Sequence, residues 1–123
     1  MPDPEHVLEC EDCNGRRTIL EWPTWHEKIL GRHGAEMAQN QYAVEQTIRH
    51  PDFINRDTDY DDRVVYYRRG VLPQPYHTDY LKVVVVIERT RGFRPFGRII
   101  SAYPTPDVKR GEQRTWPKKK NRR

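Results

Sequence analysis

His26 and His33 stand seven residues apart in the stretch TWHEKILGRHGAE, directly after a helix-start signal. Seven residues is close to two α-helical turns, so one continuous helix would carry both imidazoles on a single face. Imidazole gives and takes protons near neutral pH. Two of them flanking a phosphodiester would let an RNA 2′-hydroxyl attack its own phosphate. That nucleophile is already tethered, and the protein has only to move protons and neutralise charge. The competing reading is structural, with one histidine capping a helix end and the other simply exposed.

Other polar side chains fall in expected strands. In RVVYYRR, alternation puts Arg63, Val65, Tyr67 and Arg69 on one face and Val64, Tyr66 and Arg68 on the other. One face must meet the helices, and the other can carry arginines towards a ligand. Lys82 interrupts YLKVVVVIE, either as a strand end or as a charge pointing into a cleft. Ser101, amid Ile99, Ile100 and Tyr103, bonds to backbone or to a phosphate oxygen. Trp25, Tyr66 and Tyr67 are candidates for stacking on a base, with core packing as the alternative. Cys10-x-x-Cys13 supplies half of a tetrahedral zinc site, and His6 lies near enough to join it. No second Cys/His pair completes the set. A redox CxxC normally opens a helix after a strand, whereas this one precedes a strand. The expectation is therefore no cofactor, with a structural zinc at Cys10, Cys13 and His6 as the alternative.

The elements that must position these groups follow from pattern. A short strand is expected over 17–22. Thr24-Trp25-His26-Glu27 matches a capping box, with Ile29 and Leu30 on the buried side of the helix and Gly31 or Gly34 ending or kinking it. A second helix is expected over 35–49, with a stripe of Met37, Gln41, Val44 and Ile48, stopped by Pro51. Residues 52–62 read as a polar connection. The period then changes to two, giving strands at 63–69, 80–88 and 97–103. Helices first and strands after make an α+β class with an antiparallel sheet.

Of the 123 residues, 35% are apolar and 33% charged, enough for one modest core. Residues 109–123 hold eight Lys/Arg and one acid, a local charge of +7, and residues 1–108 carry −3. This partition predicts a loose lead-in with the CxxC over 1–15, a domain over 16–105 and a basic, disordered, polyanion-attracting tail over 106–123. No apolar run approaches a membrane span and no signal-peptide pattern opens the chain, so no membrane partner and a cytoplasmic location are expected.

The ordered series W-H-x(6)-H-x-x-E, T-I-x-x-P-D-x-I, R-x-x-Y-Y, Y-L-K-V-V-V and I-I-S-A-Y-P-T, spread over residues 25–105, resembles the phage-associated barnase–EndoU–colicin–RelE-like (BECR-like) nuclease families. Arg32-His33-Gly34 stands where that pattern leads one to expect Arg-His-Pro. The resemblance implies N-terminal helices packed on an antiparallel sheet of about four strands. It also implies metal-independent RNA cleavage at the exposed face of the sheet, leaving a 2′,3′-cyclic phosphate. Carried over by position, it makes His26 and His33 the helix-borne polar pair, Arg63 the phosphate ligand, Ser101 with Tyr103 the last-strand element, and Lys82 a second-rank ligand. The implied partners are RNA, tRNA included, and a cognate inhibitor or immunity protein. The setting would be a toxin or mobile-element enzyme, resident in the cytoplasm or delivered to that of a target cell. Two other readings stand beside it: a non-catalytic nucleic-acid-binding module, and a phage- or immunity-type protein-interaction domain.

Overall fold

The computed structural model describes residues 6–117. Alternation of buried Leu8 and Cys10 with exposed Glu9 and Glu11 makes His6–Glu11 a strand, β1, which pairs antiparallel with β2 (Arg17–Glu21). The turn between them is built on Asp12. Its Oδ1 accepts the Asn14 and Arg16 N–H groups at 2.9 and 2.8 Å, and Gly15 takes the left-handed φ of +80° that closes it. The expected lead-in is thus part of the sheet from residue 6 onward.

Pro23 is already in helical geometry and no side chain caps the helix start, so the expected Thr24–Glu27 capping box does not form. Thr24–Ile29 instead makes a π-helical turn, with the Leu30 N–H reaching the Trp25 carbonyl, and runs into α1 (Leu30–Met37). His33 departs from helical dihedrals (φ −134°, ψ 34°) inside α1. The second helix, α2 (Gln41–Arg49), begins later than expected. The chain turns at residues 38–40, where Gln39 adopts φ +65° and the Asn40 side chain donates to the Glu36 carbonyl at 2.9 Å. Met37 therefore belongs to α1, and α2 buries Ala43, Val44, Thr47 and Ile48.

The strands β3 (Phe53–Arg56), β4 (Arg63–Arg69), β5 (Tyr80–Glu88), β6 (Phe96–Thr105) and β7 (Gln113–Trp116) complete a seven-stranded sheet in the order β1-β2-β6-β5-β4-β3-β7. The class is α+β as expected, with more than the four or so strands read from sequence. The sheet is mixed rather than wholly antiparallel, because β2 runs parallel to β6 through Thr18 and Ile19 against Gly97 and Arg98. Gly97 is closely packed between β5 and β2. A Cβ at residue 97 would lie 2.7 Å from Val85 Cγ1 and 3.1 Å from Thr18 Oγ1.

The missed strands have a common character. β3 lies inside the expected polar connection, and β7 lies inside the expected tail. Each has only four residues, and β1 and β7 are the two edges of the sheet, where short polar strands are the norm. Residues 1–5 and 118–123, the ends of the expected lead-in and tail, lie outside the described residues. No described helix is long and apolar enough to cross a membrane.

One face of the sheet packs on the helices. Leu20, Leu81, Val83, Val85, Ile99 and Ala102 meet Trp25, Ile29, Met37, Val44 and Ile48 there. On this face the Tyr66 hydroxyl donates a short hydrogen bond to Asp12 Oδ2, pinning the β1–β2 turn to the centre of the sheet. Burial, and then this bond, hold the phenol well above its usual pKa, so it remains a donor. The opposite, open face carries a smaller cluster of Phe53, Val65, Tyr67 and Val84 with Tyr80, Ile100 and Val108 packed against it.

Deleting the hydroxyl with Tyr66→Phe leaves a buried carboxyl short of one donor. The expected loss is about 2 kcal/mol of unfolding free energy with an unchanged denaturant slope, read by urea titration.

Candidate functional site

The open face acquires its polar groups through an irregularity in β6. Ser101 lies opposite Val84 but Ile99 lies opposite Val85, so Ile100 is an extra residue in a β-bulge. Strict alternation from the buried Ile99 would send Ser101 and Tyr103 into the helix-side core. The bulge reverses the parity. Ala102 stays in that core, Ile100 joins the open-face cluster, and Tyr103 pairs directly across from Lys82.

Lys82 is 7% exposed in a central strand, flanked by Tyr67 of β4 and Tyr103 of β6 at 5.8 and 5.7 Å from its Nζ to the ring centres. Its neutralising partner is Glu112, whose fully buried carboxylate places Oε2 3.3 Å from Lys82 Nζ. Glu112 Oε1 accepts hydrogen bonds from the Tyr67 hydroxyl at 2.7 Å and from Asn55 Nδ2 at 3.1 Å. Burial first, then the bond to Glu112, push the Tyr67 phenol well up. Glu112 is the one acid of the basic C-terminal stretch, and sequence reading missed it. Its signal was only its solitude among cations.

A cleft of about 530 Å³ opens beside this network. His33, Arg63, Lys82, Ser101 and Tyr103 all line it, brought from α1, β4, β5 and β6. The His33 ring stacks on Tyr103, with centres 4.9 Å apart and planes 21° from parallel. Arg63 lays its guanidinium over the Tyr60 ring at 3.8 Å, and its buried Nε has no hydrogen-bond partner among the described residues. Lys28, Arg32 and Lys109 add three exposed cations to the rim, where Asp57 is a lining carboxylate and Asp59 pairs with Lys109 at 3.4 Å. Lys28, Arg32 and Arg63 are cations of the lining with no carboxylate paired to them among the described residues, so the cleft keeps an excess of positive charge.

Other expected members lie elsewhere. His26 is exposed, stacked on Trp22 at 5.2 Å, and does not line the cleft. A π-helical turn needs more residues per revolution than an α-helix, and the break at His33 adds a further rotation, so the seven-residue spacing no longer aligns the two rings. Trp25 is 2% exposed and sits in the helix-side core, and Tyr67 is fully buried. Neither ring is open to a base. Tyr67 serves by its hydroxyl, as an anchor for Glu112.

Cys10 is in the core, Cys13 is half-buried in the turn, and His6 Nδ1 lies 3.2 Å from Glu9 Oε1. Burial pushes the Cys10 thiol up to about 11 and also raises that of Cys13. Among the described residues no three His, Cys, Asp or Glu side chains gather at metal-binding distances.

In comparisons with known proteins, no family model, no curated protein and no solved structure matches this chain.

Truncating Glu112 would strand the Lys82 ammonium in a buried position. Glu112→Ala is expected to cost about 3–5 kcal/mol of stability, measured by urea unfolding, whereas Lys109→Ala at the exposed rim should change it by less than about 1 kcal/mol.

Proposed function

We propose that the chain is a metal-independent endoribonuclease that cleaves RNA by 2′-hydroxyl transesterification, with this cleft as its active site. The observation that carries the reading is the meeting of His33, Arg63, Lys82, Ser101 and Tyr103 in one cleft from four separate elements. A scissile phosphate seated there has Arg63 to balance the charge that grows on its oxygens, Lys82, whose charge Glu112 already meets, as a further N–H donor, and the Ser101 hydroxyl to donate to one of them. His33 is the one imidazole of the cleft and takes the 2′-hydroxyl proton. With His26 outside, the departing 5′-oxygen draws its proton from the Tyr103 phenol or the Lys82 ammonium beside it. The 2′-oxygen then closes on phosphorus as the 5′-oxygen leaves, giving a 2′,3′-cyclic phosphate. Such an activity suits a toxin or a mobile-element or phage-associated enzyme acting in a cytoplasm. A cognate inhibitor or immunity protein would meet this cleft with carboxylates.

A second reading is favoured by one specific observation. Since His26 is absent from the cleft, the face retains a phosphate-binding constellation with only one imidazole, which suffices for a nucleic-acid-binding module.

Incubation of tRNA and total RNA in EDTA separates the two. Wild type and His26→Ala should cleave alike, and His33→Ala should lose about 10²-fold or more of the rate, the usual contribution of a positioned proton acceptor. Retardation of RNA on a gel without cleavage by wild type would overturn the enzyme in favour of the binding module. Equal rates for wild type and His33→Ala would remove His33 from the mechanism.

A further inference from the structure

The parallel pairing of β2 with β6 has a topological consequence. Each of these strands is preceded by a turn, so the β1–β2 turn and the β5–β6 turn lie at the same end of the sheet. Between them is a concavity of about 420 Å³, separate from the cleft. The first turn contributes Arg16 and Arg17, and the second contributes Phe93, Arg94 and Phe96. The Arg17 guanidinium sits 5.6 Å over the Phe96 ring and bonds Glu9 at 3.0 Å. Glu11 is the one acid of the lining.

Phe93 is 76% exposed at the apex of this second turn and belongs to neither core cluster. A single exposed phenylalanine is ordinary on a protein surface. Here it sits in the segment RTRGFRPFGR, where Arg89, Arg91 and Arg94 are exposed and form no ion pair among the described residues. An accessible aromatic face set among unpaired guanidiniums is the combination that holds unpaired bases and their phosphates together. Duplex RNA would satisfy the arginines but bury its base faces in stacking, leaving Phe93 unused. The turn also continues from the cleft. Val84 lines the cleft, and Glu88, four residues along β5, precedes the turn, so about 13 Å of strand separates the two.

We infer that the β5–β6 turn is a second contact for single-stranded RNA, with Phe93 stacking on an unpaired base and Arg16, Arg91 and Arg94 holding the neighbouring phosphates. The choice of RNA as ligand rests on the ribonuclease reading of the cleft. The inference adds that the substrate is unpaired and extends from the scissile phosphate to the end of the sheet.

The test is binding of a fluorescently labelled 12-nucleotide 2′-O-methyl RNA without self-complementarity, and of the same strand in a duplex. The methyl group removes the nucleophile, so binding is read without turnover. Phe93→Ala should weaken single-strand binding about tenfold while leaving duplex binding unchanged, and Phe93→Trp should restore it. The double variant Arg91→Gln/Arg94→Gln should weaken binding and flatten the dependence of log affinity on log salt by roughly 1.4. Phe93→Ala binding like wild type, an equal loss for strand and duplex, or no binding by the wild-type chain would each overturn the inference. Failure of unmodified RNA to be cleaved, with the Phe93 effect intact, would refute the enzymatic reading and leave this one standing.

Discussion

An ammonium group in the middle of a β-sheet sets the terms for the open face. Lys82 lies on a central strand between two tyrosines, and taking its charge out of water costs several kcal/mol unless a partner meets it. The partner comes from far along the chain. The Glu112 side chain is fully buried, and the hydrogen bonds from Tyr67 and Asn55 go to Oε1, leaving Oε2 to Lys82. The stretch after β6 is thereby drawn across the sheet, with Val108 packing on the open-face cluster and β7 pairing with β3. What charge and proline content mark as a tail is, up to residue 117, a strap that the lysine requires.

The bulge at Ile100 is the second constraint. A ten-residue strand has to give Ile99 and Ala102 to one core and Ser101 and Tyr103 to the opposite face, which strict alternation forbids. One extra residue resolves the conflict. On its β2 side, β6 has no described partner strand beyond Arg98, and there the π-helical turn and α1 pack against it and bring His33 within stacking distance of Tyr103. The kink at His33 and the bulge at Ile100 are two local departures from regular structure that together form one wall of the cleft.

These departures explain what was legible beforehand. The long strands β4 and β5 stand out because valines and tyrosines recur with period two over enough residues to be unambiguous, and the face assignment of Arg63 with Tyr67 follows from them directly. His33, Arg63, Ser101, Tyr103 and Lys82 were each identifiable as polar residues on otherwise apolar or helical elements. The pairing of His33 with His26 was not, because spacing along a chain reports co-facial placement only in an uninterrupted α-helix, and a π turn is invisible to it. Trp25 and Tyr67 were misplaced for another reason. An aromatic ring reads the same whether it packs in a core or waits for a ligand. Glu112 and β7 escaped because their stabilisation comes from partners thirty or more residues distant, and local pattern carries no trace of those.

The placement of β2 beside β6 has a consequence for synthesis. The β1–β2 hairpin is complete by residue 21, but its neighbour in the sheet begins at Phe96, so a growing chain holds that hairpin undocked for some seventy residues of translation. The same ordering governs the cleft, whose last wall needs Tyr103 and whose buried lysine is unneutralised until Glu112 has been made. A nascent or prematurely ended chain therefore carries the cations but not the site.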